Sequence, residues 1–153
     1  MSSLRAAIAD AYKTAMLERD KVTVGAMRLI QSALKDRDIA ARPKSGDAIP
    51  DAEILSMLQT MVKQRRESIT MYEQGGRQEL AEAEAAEIAV IERFLPKPMS
   101  ADEADAAIAA VIAELGASGI KDMGRVIGEL KTRFAGAMDF QAASAQVKAK
   151  LTA

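Results

Sequence analysis

Apolar side chains recur every three or four positions through almost all of this chain, and that spacing places them on one face of an α-helix. Leu4, Ile8 and Tyr12 begin one such stripe, and Ile108 and Leu115 belong to another. No segment alternates between apolar and polar residues as a half-buried strand does. The 31 alanines strengthen the pattern, because alanine is the best helix former. We therefore predict an all-α fold.

Residue types that begin and end helices divide the first part of the chain into four segments. Ser3 is a predicted N-cap of the first helix, since its hydroxyl can accept a hydrogen bond from a free amide of the first turn. The composition of residues 40–50 predicts a loop after the second helix. Asp51 is the predicted N-cap of the third helix, and Gly75-Gly76 is predicted to end it.

Pro96-Lys97-Pro98 is the clearest boundary in the sequence, because closely spaced prolines cannot continue a helix. We predict a four-helix unit at 1–95, a proline-rich linker at 96–99 and a unit of three short helices at 100–153. Within the last unit, Ser100 and Glu103 have the spacing of a capping box. Asp122 is predicted to start the middle helix of that unit, and Asp139 to cap the last one.

Histidine, cysteine and tryptophan are absent from the 153 residues. Zinc sites built on His or Cys, Cys–His nucleophiles and Ser-His-Asp triads are therefore excluded. We predict no catalytic residue, no metal site and no cofactor, so an enzyme acting alone is disfavoured. No apolar run is long enough to span a bilayer, and the N-terminal residues lack the apolar stretch of a secretory signal. We expect a cytoplasmic monomer without membrane contact.

Charge is distributed unevenly, although the formal net charge is only −1. Residues 99–120 carry four acidic and no basic side chains, whereas residues 121–153 carry six basic and three acidic ones. One interpretation is that acids at helix starts and bases at helix ends complement the helix dipoles. The other is a modest phosphate-binding face, since the balance is too even for a strong non-specific nucleic-acid binder.

Arg65 falls on the apolar stripe of its predicted helix, between Met61 and Ile69. Glu84 and Glu87 fall on the apolar line of the following helix. A buried arginine needs a carboxylate, and two antiparallel neighbouring helices can supply one. We predict a structural ion pair between Arg65 and Glu84 or Glu87.

Gly124 and Gly128 lie four residues apart inside a predicted helix, where each glycine costs about 1 kcal/mol relative to alanine. Close approach of another helix is the usual reason for such a cost. The alternative is a smooth surface to which a backbone or a nucleic acid can come near. No glycine-rich loop follows a strand, so neither a P-loop nor a dinucleotide site is supported.

The ordered motifs of the chain resemble the GatB/YqeY family across almost the full length. The residues that carry the resemblance are Met27–Lys35, Lys63–Ile69, Tyr72, Gly76-Arg77, Glu79-Leu80, Glu84, Glu87-Ile88, Phe94-Leu95-Pro96, Asp122–Gly128 and Gly136-x-x-Asp139.

This resemblance implies a four-helix N-terminal unit followed by a three-helix tail. A similar tail ends the B subunit of the glutamine-dependent amidotransferase that converts misacylated Glu-tRNA or Asp-tRNA, where the tail contacts tRNA. The implied tRNA- or partner-binding residues are Lys121, Gly124, Arg125, Gly128, Lys131 and Arg133. The family-motif surface of the N-terminal unit is Lys63, Arg66, Tyr72 and Arg77. The chain departs from the family at Ala137-Met138, where a basic residue is common.

Three functions are compatible with these observations. We predict a non-catalytic accessory module that contacts tRNA, or an enzyme that aminoacylates or modifies tRNA, through the tail. The first alternative is a protein-interaction module without RNA contact. The second is carbon–nitrogen ligase activity with glutamine as amido donor, the label often attached to the family.

Overall fold

The computed structural model describes residues 3–46 and 48–152, without the side chain of Ser45. In these residues the backbone forms seven α-helices and one 3-10 turn, and no strand, which confirms the all-α prediction. The helices are α1 (Leu4–Leu17), α2 (Lys21–Ser45), α3 (Asp51–Gln74), α4 (Gln78–Glu92), α5 (Ala101–Leu115), α6 (Met123–Phe134) and α7 (Phe140–Thr152), and the 3-10 turn is Ile120–Asp122.

The chain divides into two compact units after Leu95. The first unit contains α1–α4 and the second α5–α7, and each has its own core. The side chains that are completely or almost completely buried are aliphatic. In the first unit they are Ile8, Met27, Ile30, Ile54, Met57, Leu58 and Ile91. In the second they are Ile108, Val111, Val126, Leu130, Met138, Ala143 and Val147.

Local hydrogen bonds begin several helices where the sequence predicts them. The Ser3 hydroxyl accepts from the amide of Ala6 at 3.1 Å. In the capping box, the Ser100 hydroxyl accepts from the amide of Glu103, and the Glu103 carboxylate accepts from the amide of Ser100, both at 3.1 Å. Asp139 accepts from the amide of Gln141 at 3.0 Å. These three predictions are confirmed.

Helix α2 continues further than its sequence suggests. It extends to Ser45 and includes Pro43, so the loop prediction is wrong for residues 40–45. Pro43 lies in the last turn of α2, where a missing amide removes only one helical hydrogen bond. Gly46, at φ 75°, then ends the helix, and its amide donates to the carbonyl of Arg42 at 2.9 Å. Of the remaining loop positions, Asp47 lies outside the described residues.

Asp51 does not cap α3. Pro50 occupies the N-cap position, and Asp51 is the first helical residue. The carboxylate of Asp51 instead accepts a hydrogen bond from the amide of Leu4 at 3.2 Å. The N-cap prediction is therefore wrong, because the side chain satisfies a free amide of α1 rather than one of α3.

A polar network that the sequence did not reveal fixes the segment between α2 and α3. Asp38 accepts two hydrogen bonds from the Arg5 guanidinium, at 2.9 and 2.6 Å, and one from the amide of Ile49 at 2.9 Å. Arg5 also donates to the carbonyl of Ile49 at 3.0 Å. Both backbone groups of Ile49 are thus satisfied while its side chain is buried in the first core.

The Arg5 hydrogen bond, followed by that of the Ile49 amide, holds the pKa of Asp38 below its usual range, against a smaller opposing effect of burial. An aspartate whose folded pKa is lowered stabilises the fold above its unfolded pKa of about 4. That contribution is lost as the pH falls through the folded pKa. We expect Asp38→Asn to lower the free energy of unfolding by about 1–2 kcal/mol at neutral pH.

Urea unfolding of both proteins between neutral and acidic pH measures this difference, which should shrink below pH about 4. Asp36→Asn is the matched control, because Asp36 is an exposed aspartate of the same helix. An equal effect of the two substitutions at every pH would contradict a stabilising role for the Asp38 network.

Candidate nucleic-acid interface

Helix α6 presents a basic, glycine-containing face opposite its buried side. Val126 and Leu130 point into the second core. The residues on the opposite side are three or four positions apart and all exposed: Lys121, Gly124, Arg125, Gly128 and Lys131. Lys121 lies in the 3-10 turn that leads into α6. We call these five residues the α6 face.

The two glycines of the α6 face are open to solvent. A Cβ atom placed on Gly124 or Gly128 would meet no atom within 4 Å. The interpretation that these glycines admit a neighbouring helix is therefore wrong for the part of the chain described, because the packed side of α6 is the side of Val126 and Leu130. Gly124 lies in the first turn, whereas Gly128 lies mid-helix and costs about 1 kcal/mol of helix stability. The sequence offered two explanations for these glycines, close approach of another helix or a smooth surface that a backbone or a nucleic acid can approach. The exposure of both glycines is compatible only with the second.

The basic side chains of the α6 face differ in how they are engaged. Within residues 3–46 and 48–152, the ammonium groups of Lys121 and Lys131 have no ion pair. Arg125 donates to Asp122 at 3.2 Å but remains half exposed. Asp122 also accepts from the amide of Ser118 at 3.0 Å, and this bond is the main reason that its pKa is lowered. The face therefore presents two available lysines and one arginine that is shared with Asp122.

Arg133, a further predicted binding residue, lies off the α6 face. Its guanidinium contacts Glu114 of α5 at 2.6 Å and Glu129 of α6 at 2.8 Å. Hydrogen bonds to Glu114 and then Glu129 raise the pKa of Arg133 above its ordinary value. Arg133 thus joins α5 to α6 and is not available to a ligand without losing these contacts.

Two other side chains of the tail, one basic and one apolar, are also structural. Lys150 contacts Asp105 at 3.0 Å, which joins α7 to α5. Met138, the second residue of the Ala137-Met138 departure from the family pattern, is almost completely buried in the second core. Its side chain therefore serves packing within the tail.

The family-motif residues of the first unit do not form one site. Lys63 and Arg66 share a face of α3, and Arg66 lies 3.8 Å from Glu92. Tyr72 lies six residues further along α3, on a different side. Arg77 precedes α4, and its guanidinium donates to Glu79 at 2.9 Å.

Arg65, the cation on the apolar stripe of α3, forms the ion pair that the sequence predicts. Arg65 Nε donates to Glu87 Oε2 at 2.8 Å, and its Nη1 donates to the carbonyl of Met61 at 3.2 Å. Of the two candidate glutamates, the structure thus pairs Arg65 with Glu87 of α4. The exposed fractions of the two side chains are 13% and 29%, so the contact is partly shielded from water.

The comparison with known proteins identifies the family. The model of Yqey-like proteins matches residues 5–151. This chain belongs to the YqeY-like family. The match covers both units, and therefore both the α6 face and the Arg65–Glu87 pair.

The relatives include fungal proteins named "Altered inheritance of mitochondria protein 41, mitochondrial". The protein of Kluyveromyces lactis is 29% identical over 113 residues, which cover 72% of this chain and 59% of that protein. The protein of Clavispora lusitaniae is 32% identical over 92 residues, covering 60% and 51%. That of Saccharomyces cerevisiae S288c is 29% identical over 91 residues, covering 59% and 48%. The chain thus spans about half the length of the curated relatives it matches.

None of the helices among the described residues combines the length and the apolar character that a bilayer crossing needs. Among the same residues, no cluster of three or more aspartates and glutamates is placed to hold a metal ion.

Replacing Arg65 by methionine tests the structural role of the ion pair. The substitution leaves the Glu87 carboxylate half-buried without its partner, so we expect the free energy of unfolding to fall by about 1–3 kcal/mol. Urea unfolding followed by circular dichroism measures this loss. Arg66→Met is the matched control, because the Arg66 side chain is 62% exposed; its effect should stay within about 0.5 kcal/mol. An Arg65→Met protein as stable as the wild type would show that the pair has no structural role.

Proposed function

We propose that this protein is a non-catalytic accessory module of tRNA metabolism that contacts the sugar–phosphate backbone of tRNA through the α6 face. The observation that carries this proposal is the bare backbone of Gly128, open to solvent between Lys121 and Lys131, two lysines that form no ion pair within the described residues. Membership of the YqeY-like family supports it, because the family resemblance implies a tail that contacts tRNA.

The geometry of the α6 face suits a phosphate backbone better than base edges. Lysine ammonium groups neutralise phosphates without demanding a fixed orientation. The absence of side chains at Gly124 and Gly128 lets a bulky backbone approach the helix closely. The whole sequence has three phenylalanines, two tyrosines and no tryptophan, which leaves few rings for base stacking. The recognition that we propose therefore depends on charge and shape, with little reading of sequence.

An accessory role fits the chemistry of the chain better than independent catalysis. With no histidine or cysteine, acid–base or nucleophilic chemistry near neutral pH would need a strongly shifted carboxylate or lysine. No motif for nucleotide binding accompanies the family's amidotransferase label. As part of the proposal, we place this activity in the cytoplasm, although the relatives named above are mitochondrial proteins.

The protein is expected to bind tRNA with a strong dependence on salt. Three or four phosphate contacts predict a slope of log affinity against log salt of about −2 to −4. Replacing both lysines of the α6 face, in Lys121→Gln/Lys131→Gln, should reduce the magnitude of that slope by about 1.5 to 2. Fluorescence anisotropy of labelled tRNA, titrated with the full chain at several salt concentrations, measures both slopes.

The double variant Lys97→Gln/Lys148→Gln is the matched control, because it removes the same charge from two other exposed positions of the second unit. Its slope should stay closer to that of the wild type than the slope of the α6 variant does. Absence of binding at low salt would refute direct tRNA contact and favour a protein-interaction module. Equal losses in the two variants would refute the assignment to the α6 face.

A further inference from the structure

A second surface of mixed character lies in the first unit, where α1 turns into α2. Apolar side chains are unusually exposed there: Leu17 at 76%, Val22 at 57% and Leu29 at 43%. Three cations of the same region, Arg19, Lys21 and Arg28, line a groove together with Val24 and Gly25. We call the set Arg19, Lys21, Val22, Gly25, Arg28 and Leu29 the α1–α2 corner.

Gly25 lies at the centre of the α1–α2 corner. Val22 and Leu29 are three and four residues from it along α2 and form an apolar row. Lys21 and Arg28 are four and three residues from it and form a basic row. A Cβ atom on Gly25 would meet nothing within 4 Å. An open groove of about 370 Å³ lies over it, lined by Arg19, Lys21, Val24, Gly25 and Arg28.

The cations of the corner are largely available for a ligand. Among the described residues, the side chains of Arg19 and Lys21 form no ion pair, and Arg28 donates only to the hydroxyl of Tyr12, at 3.3 Å. The nearby carboxylate of Asp20 is already engaged, because it accepts from the amide and the hydroxyl of Thr23 at 3.1 and 2.6 Å. Asp20 keeps its negative charge, but the three cations that line the groove outnumber it.

We propose that the α1–α2 corner docks an acidic amphipathic segment of a protein partner. An apolar side chain of that segment lies over Gly25 and covers Val22 and Leu29. Its carboxylates face Arg19, Lys21 and Arg28. Burial of the apolar row supplies the affinity, and the charges supply the orientation and the selectivity.

Two other occupants fit the surface less well. A nucleic-acid backbone would meet the cations, but it offers no apolar group to cover Leu17, Val22 and Leu29. The same surface of a second copy, related by a twofold axis, would bring cations against cations. The combination of an apolar row and a basic row therefore favours an acidic protein segment.

Selection from a random 12-residue peptide library displayed on phage, with the full chain as bait, tests this proposal. We expect the enriched peptides to combine Asp or Glu with Leu, Ile or Phe. We expect their affinity, measured by fluorescence anisotropy, to fall at least about tenfold for Gly25→Gln, since the new side chain fills the groove. Gly25→Gln should fold, because the position is open and glutamine is the better helix former.

Ala40→Gln is the matched control, because it adds the same side chain to another exposed position of α2; it should leave peptide affinity unchanged. A charge reversal, Arg19→Glu/Lys21→Glu, should also abolish binding of the acidic peptides. Failure to enrich peptides, enrichment of basic peptides, or binding that Gly25→Gln leaves intact would overturn the proposal. So would a dimer that Gly25→Gln dissociates, or a loss of tRNA affinity in Gly25→Gln without any peptide binding.

Discussion

Burial of one aliphatic stripe from each helix is the constraint on which both units depend. The most deeply buried side chains are aliphatic in both cores, and Met27, Ile30 and Leu58 are completely excluded from solvent. Such side chains bury less area each than aromatic rings do. The tertiary structure therefore relies on many small apolar contacts. Polar interactions add to them by fixing the ends of helices and the contacts between neighbouring helices.

The structure divides its basic residues between these structural interactions and the surface. Arginines supply three ion pairs between elements, Arg5 to Asp38, Arg65 to Glu87 and Arg133 to Glu114, and Lys150 supplies another to Asp105. A guanidinium suits this role because its planar set of donors can satisfy a carboxylate and a carbonyl at once. Among the described residues, Lys121 and Lys131 of the α6 face form no ion pair. These two lysines are therefore available to a phosphate backbone without the loss of a contact between helices.

Most features that depend on local sequence could be predicted, and most features that depend on distant partners could not. The apolar stripes, the Ser100–Glu103 capping box and the Asp139 cap follow from residues within one turn of each other. The Arg65 contact also followed, because a cation on an apolar stripe requires a carboxylate on the neighbouring helix. The role of Asp51 was mispredicted because its partner, the amide of Leu4, is distant in the sequence. The end of α2 was mispredicted for a local reason, since the last turn of the helix accommodates Pro43 and the helix ends only at Gly46.

The candidate site shows the same division. Its residue types and spacing along α6 came from the sequence and the family resemblance. Which side of α6 is packed depends on α5 and α7, so the exposure of Gly124 and Gly128 could not be derived. The ion pair of Arg133 with Glu114 could not be derived either, because Glu114 lies on a different helix.

The central claim is that the glycines of the α6 face are retained for contact with a partner and not for packing within the chain. The most direct test compares wild-type protein with Gly128→Ala, measuring urea unfolding and tRNA affinity in the same buffer. We predict that the variant is more stable by about 1 kcal/mol, because alanine is the better helix former and nothing in the described structure opposes it, yet binds tRNA more weakly. A variant that loses stability, or one that gains stability and binds tRNA as tightly as the wild type, would contradict the account.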